Sequence, residues 1–129
     1  MCRSTVNGFL MKNTIIFVIG FFFPLNVYGS ELLMVHEHGC TWCEIWEEEI
    51  GYIYPKTREG KFAPLKRVEI DEIREIGKFN PQIVYTPTFL LMSGGNEIGR
   101  IEGYPGEDFF WALLNQLLVE KTKYKENLE

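Results

Sequence analysis

Two cysteines three positions apart, Cys40 and Cys43, stand where one local pattern gives way to another, and that placement constrains the fold most. Before them, Glu31 to Val35 (Glu-Leu-Leu-Met-Val) is a short apolar run that reads as a buried strand. His36 to Gly39 is a connector ending in glycine. After them, Cys43, Trp46, Ile50 and Ile53 recur at steps of three or four. That is one apolar stripe of a helix, with Glu44, Glu47, Glu48 and Glu49 on its solvated side. A C-x-x-C at the end of a strand, opening a helix, is the redox signature expected in a βαβ setting. A bridge this local closes a tiny loop and adds little stability by chain entropy. The pair is therefore no structural staple, and redox work or metal binding explains it better.

The chain must instead hold itself by a core. Its 129 residues suffice for one small domain, and 46% hydrophobic with 24% charged residues is a globular balance. A formal charge of −5 leaves no basic footprint, which excludes nucleic acid as a partner. The first 29 residues differ from the rest. Arg3 and Lys12 are their only charges, Ile15 to Val27 is almost wholly apolar, and Val27-Tyr28-Gly29 offers a cleavage site. The pattern predicts a signal peptide over 1–29, with a plausible true start at Met11, and a domain over 30–129. The apolar run is well short of the ~20 residues that span a bilayer, so the mature form is expected without a membrane span. Export would remove Cys2 and leave Cys40 and Cys43 as the only cysteines.

Downstream, Lys56 to Ala63 reads as a polar loop and Pro64 to Asp71 as a second strand. Asp71 is placed to cap a short helix over Glu72 to Phe79, which stops before Asn80-Pro81. Thr88 to Met92 is a third strand. Ser93-Gly94-Gly95-Asn96 is a hairpin turn into a fourth, Glu97 to Ile101. A last helix from Asp108 to about Lys121 carries Phe109, Leu113, Leu117 and Val119 as buried candidates. The order β-α-β-α-β-β-α predicts an α/β fold, a mixed four-stranded sheet with helices on both faces.

Taken together, Gly39-Cys40-Thr41-Trp42-Cys43, Thr86-Pro87-Thr88-Phe89 opening the third strand, and Gly103-Tyr104-Pro105-Gly106 before the last helix resemble the thioredoxin superfamily. Leu33-Met34-Val35, Ile50 to Thr57 and Ala63-Pro64-Leu65 extend the likeness to small periplasmic thioredoxin-like proteins associated with bacterial sulfur oxidation. The chain begins only about ten residues before Cys40 once 1–29 are set aside, so the resemblance implies the minimal thioredoxin fold. It also implies a periplasmic thiol–disulfide oxidoreductase that reduces or maintains partner-protein cysteines. Its partners would be protein thiols and disulfides and a membrane thiol electron donor. No cofactor is implied beyond the Cys40–Cys43 disulfide.

The resemblance also distributes roles. Cys40, at a helix start that favours negative charge, attacks the substrate disulfide, and Cys43, one turn on, resolves the mixed disulfide. Pro87 is expected in cis, presenting Thr86 to an extended substrate. Trp42 is expected at the contact surface, Trp46 and Trp111 in the core, and Tyr104 and Phe109 in packing. One departure stands out. Thioredoxins bury an aspartate in the first strand that helps deprotonate the second cysteine, and here the position holds Met34. Glu37, His36 or water are left as proton acceptors. The competing reading is a copper chaperone, since His36, His38, Cys40 and Cys43 supply two imidazoles and two thiols. A proline beside the cysteines would crowd such a metal, so no metal site is assigned.

Overall fold

The structure is a computed structural model that describes residues 29–125. The predicted signal peptide lies almost wholly outside the described residues. Strand β1 (Ser30–His36) is buried along its middle, from Leu32 to Val35. A run apolar on both faces suits a strand covered on both sides. It lies in the interior of a four-stranded sheet of order β2-β1-β3-β4. β2 (Leu65–Glu69) runs parallel to it, with Met34 opposite Arg67. β3 (Thr88–Ser93) runs antiparallel on its other side, and β4 (Asn96–Glu102) antiparallel to β3. The expected mixed sheet and element order hold.

Side chains alternate across β1 and divide the core in two. Leu32 and Met34 face one layer with Phe89 and Leu91, under helices α1 (Thr41–Trp46) and α4 (Glu107–Lys121). Leu33 and Val35 face the other, with Ile70 and Ile73 of α3 (Ile70–Ile76). Helices therefore cover both faces of the sheet, as the α/β reading requires.

Three local readings change. The first helix does not run evenly to Pro55. After α1 the chain widens into a π turn, Glu47–Gly51, then a 3₁₀ turn, Tyr54–Lys56. The extra residue in the turn rotates the stripe. Cys43, Trp46 and Ile50 stay buried, but Tyr54 takes the buried place expected of Ile53. The loop expected over 56–63 contains a short helix, α2 (Arg58–Phe62). Thr57 caps it, its Oγ1 accepting from Gly60 N at 3.0 Å. Asp71 does not cap α3, whose N-cap is Glu69 without a side-chain bond. Asp71 lies inside the first turn, where the helix dipole still favours an acid. Gly77 ends α3 in the left-handed conformation, φ 60°.

On α4 the buried face is one residue away from the expected one. Phe110, Leu114 and Leu118 are fully buried, while Phe109 is 67% and Leu113 42% exposed. Val119 is also exposed, and Leu117 is half-buried against Gly99 of β4, where a Cβ would strike its Cδ1. Trp46 and Tyr104 are buried as expected. Trp111 is half-buried, stacked on Tyr54 with ring centroids 6.0 Å apart. Phe109 is the residue whose packing role fails.

Candidate active site

The C-terminal end of β1 delivers the connector to α1. Gly39 turns it at φ +74°, a left-handed backbone that suits glycine. Cys40 is the N-cap of α1, its carbonyl accepting from the N–H groups of Cys43 and Glu44, each at 3.1 Å. Its Sγ accepts from Cys43 N at 3.2 Å, the capping position that a Ser or Asp oxygen commonly fills. Cys40 and Cys43 are joined as a disulfide, their Cα atoms 5.2 Å apart. Cys40 is 9% and Cys43 6% exposed, so the bridge is nearly flush with the surface.

Two shallow depressions lie at this end of the sheet. One, of about 370 Å³, is lined by both cysteines together with Met34, Glu37, Glu47 and Arg67. The other, of about 410 Å³, is lined by Trp42, Tyr85, Thr86 and Tyr104. Trp42 is 58% exposed, between the cysteines and beside the loop that enters β3. That loop carries Thr86 and Pro87, joined by a cis peptide bond. Thr88 Oγ1 donates to the Tyr85 carbonyl at 2.6 Å, and Gly103 N donates to the Pro87 carbonyl at 2.8 Å. These bonds fasten the loop at both ends. Thr86 Oγ1 also donates to Glu37 at 3.3 Å, which ties the loop to the connector before Cys40. The fold thus brings Cys40, Trp42, Cys43 and Thr86 to one end of the sheet, next to Pro87.

The two side chains named from sequence as proton acceptors, His36 and Glu37, both line the cysteine cleft, and each has one polar neighbour. His36 Nδ1 lies 3.5 Å from Glu69, and Glu37 receives Thr86. Met34 is buried. Two further residues line the cysteine cleft. Arg67 donates to Glu47 through both Nε and Nη2, the latter at 2.7 Å, and this hydrogen bonding raises the guanidinium above its ordinary value. Sequence reasoning assigned Glu47 to a solvated face and gave Arg67 no part. The available signal was spacing, since Glu47 is one helical turn after Cys43. Among the described residues no group of three or more His, Cys, Asp or Glu is gathered to hold a metal. His36, one of the four ligands of the copper reading, faces Glu69.

A β-α-β-α-β-β-α sheet with a C-x-x-C disulfide at the first helix and a proline loop beside it is the thioredoxin arrangement. The chain belongs to the thioredoxin superfamily, and it is a thiol–disulfide oxidoreductase. Within that class it is similar to the periplasmic thioredoxin SoxS of Paracoccus pantotrophus, solved in its reduced form. The two share 41% identity with a TM-score of 0.63, over 70% of this chain and 97% of that one. A thioredoxin from Thermus thermophilus (22% identity, TM-score 0.57, 72% and 76% covered) shares the fold. So does thioredoxin NaTrxh from Nicotiana alata (17% identity, TM-score 0.56, 76% and 77% covered). No protein-family signature matches the chain, and no curated sequence does.

Proposed function

We propose that this protein works in the periplasm as a disulfide reductase that keeps the cysteines of partner proteins reduced. Cys40 is the attacking thiolate and Cys43 the resolving thiol. Trp42, Thr86 and Pro87 form the surface on which the substrate segment lies. No cofactor is needed beyond the disulfide itself. Electrons return to it from a membrane thiol donor, because that compartment lacks the cytosolic reducing pool.

The observation that carries this reading is the N-cap position of Cys40. Its sulfur already accepts the Cys43 N–H. Once the bridge is reduced, the same N–H and the helix start favour a thiolate there. The dipole supplies roughly 0.3–1 kcal/mol at such a site, less than the ~1.4 kcal/mol of one pKa unit, so the hydrogen bond must supply the rest. Likeness to a periplasmic thioredoxin supports the compartment. Among the described residues, no helix is long and apolar enough to cross a membrane.

The test is a Cys43→Ser variant expressed in the native host. It should accumulate proteins joined through Cys40, with an exported thiol protein among them. Adducts confined to cytosolic proteins, with the chain retained there, would refute the periplasmic reading.

A further inference from the structure

Of the two depressions at the cysteine end of the sheet, the one beside Trp42 carries a single charged side chain, Glu102. The rest of its lining is Trp42, Tyr85, Thr86, Gly103 and Tyr104, with Trp42 58% and Tyr85 62% exposed. No lysine, arginine or histidine stands among the described residues that line it. Glu102 is the last residue of β4 and the register partner of Thr88, which fixes it beside the loop that carries Thr86. Its carboxylate accepts from Arg100 Nη1 at 3.3 Å, but Arg100 is held mainly elsewhere. Arg100 Nε and Nη2 both donate to Glu97, and Nη2 also to the Pro81 carbonyl at 3.0 Å. Two carboxylates therefore share one guanidinium, which leaves a negative charge over. The Arg100 side chain is 12% exposed and that of Glu102 44%, so the charge that meets solvent is the carboxylate. Tyr104 marks further acid nearby. Its hydroxyl donates to Glu49, and burial, that bond and the charges of Glu49, Glu107 and Asp108 together push the phenol up. An aromatic surface with surplus negative charge fits a cation that brings an apolar stem.

We propose that Glu102 makes this enzyme select protein disulfides whose target cysteine is flanked by lysine or arginine. The substrate's cation pairs with the Glu102 carboxylate, and its stem lies against Trp42, which lines the same depression. A segment with an acid in that place meets like charge instead. The pair is exposed to solvent, so its effect is modest. Exchanging attraction for repulsion amounts to about 10-fold at low salt. The contact acts on binding and leaves the sulfur exchange alone, so the difference belongs in KM and not in kcat.

The inference rests on the reading of Trp42, Thr86 and Pro87 as the substrate surface, and its test separates the two. Three peptide disulfides are compared that differ only in the residues flanking the cysteine, which are lysine, glutamine or glutamate. At low salt the lysine peptide is expected to show a kcat/KM about 10-fold above the glutamate peptide, carried by KM, with glutamine between. Salt at about 0.5 M should shrink that ratio, since it screens exposed pairs. Glu102→Gln keeps an acceptor for Arg100 and should bring the ratio to about 3-fold or less, the remainder coming from the neighbouring carboxylates. Glu31→Gln removes the same charge at the far end of β1 and should leave the ratio as it was. Equal KM values for the three peptides, or a lysine preference that survives Glu102→Gln, would overturn this inference alone when Trp42→Ala still raises KM. If Trp42→Ala leaves every KM unchanged as well, the substrate surface itself is misplaced, and this inference falls with it.

Discussion

Leu114→Ala tests how α4 meets the sheet. Leu114 is fully buried in the layer that holds Trp46, Phe89 and Phe110. The substitution deletes three carbons, about 2.4 kcal/mol of transfer energy at ~0.8 each, and the cavity it leaves adds to that. The expected cost is about 3 kcal/mol, within the 2–5 usual for such changes. Leu113, one residue away and 42% exposed, should cost under about 1 kcal/mol as alanine. For a domain of this size, stability is roughly 5–15 kcal/mol and each kcal/mol shifts Tm by about 4–8 °C. Leu114→Ala should therefore lower Tm by about 12–24 °C, and Leu113→Ala by only a few degrees. Urea unfolding of the oxidised proteins reads the difference as a fall in midpoint at constant slope. Equal losses, or a larger loss from Leu113, would refute the assigned face.

Other expectations follow from single contacts. Tyr54 is buried and donates to the Ala63 carbonyl at 2.8 Å, and burial is the main cause that pushes its phenol well above 10. Tyr54→Phe leaves that carbonyl unpaired and should cost about 1–3 kcal/mol at neutral pH. Above pH ~10 the unfolded chain releases the phenol proton and the folded one keeps it, so wild-type stability falls as pH rises. The variant should lose less there, by up to about 1.4 kcal/mol per pH unit, in alkaline urea titrations. Gly60→Ala drives a Cβ into the Tyr54 carbonyl, which also accepts from Thr57 N at 3.1 Å and Thr57 Oγ1 at 2.7 Å. A loss of about 1–3 kcal/mol is expected by thermal unfolding. Trp42→Ala should leave Tm unchanged but raise KM for a peptide disulfide, which steady-state kinetics would reveal.

The sequence made the sheet readable because β1 and β3 carry unbroken apolar runs and Gly94-Gly95 marks the hairpin, but not the end of β2, where the strand expected to reach Asp71 gives way to α3 at Ile70. The cysteine pair and Thr86-Pro87 were equally visible, since each is a local motif. What failed was rotational. On α4, Phe109, Leu113 and Leu117 form a stripe beside Phe110, Leu114 and Leu118, and both are apolar. Periodicity cannot choose between such stripes; contact with the sheet does. The same holds after Ile50, where the π turn moves the buried place from Ile53 to Tyr54. Helix α2 was hidden because its five residues are mostly polar and include a glycine, and only the Thr57 cap marks its start. The Glu47–Arg67 pair joins residues 20 positions apart across two elements, so no local pattern announces it.

The central chemistry is tested most directly by intact mass measurement. Purified, reduced Cys43→Ser protein is mixed with a peptide disulfide, and the product is weighed and then digested. A one-to-one adduct mapping to Cys40 is expected, released by added thiol and absent from a Cys40→Ser control. A Cys43→Ser protein that gains no mass, beside a Cys40→Ser protein that still reduces the peptide, would contradict the account.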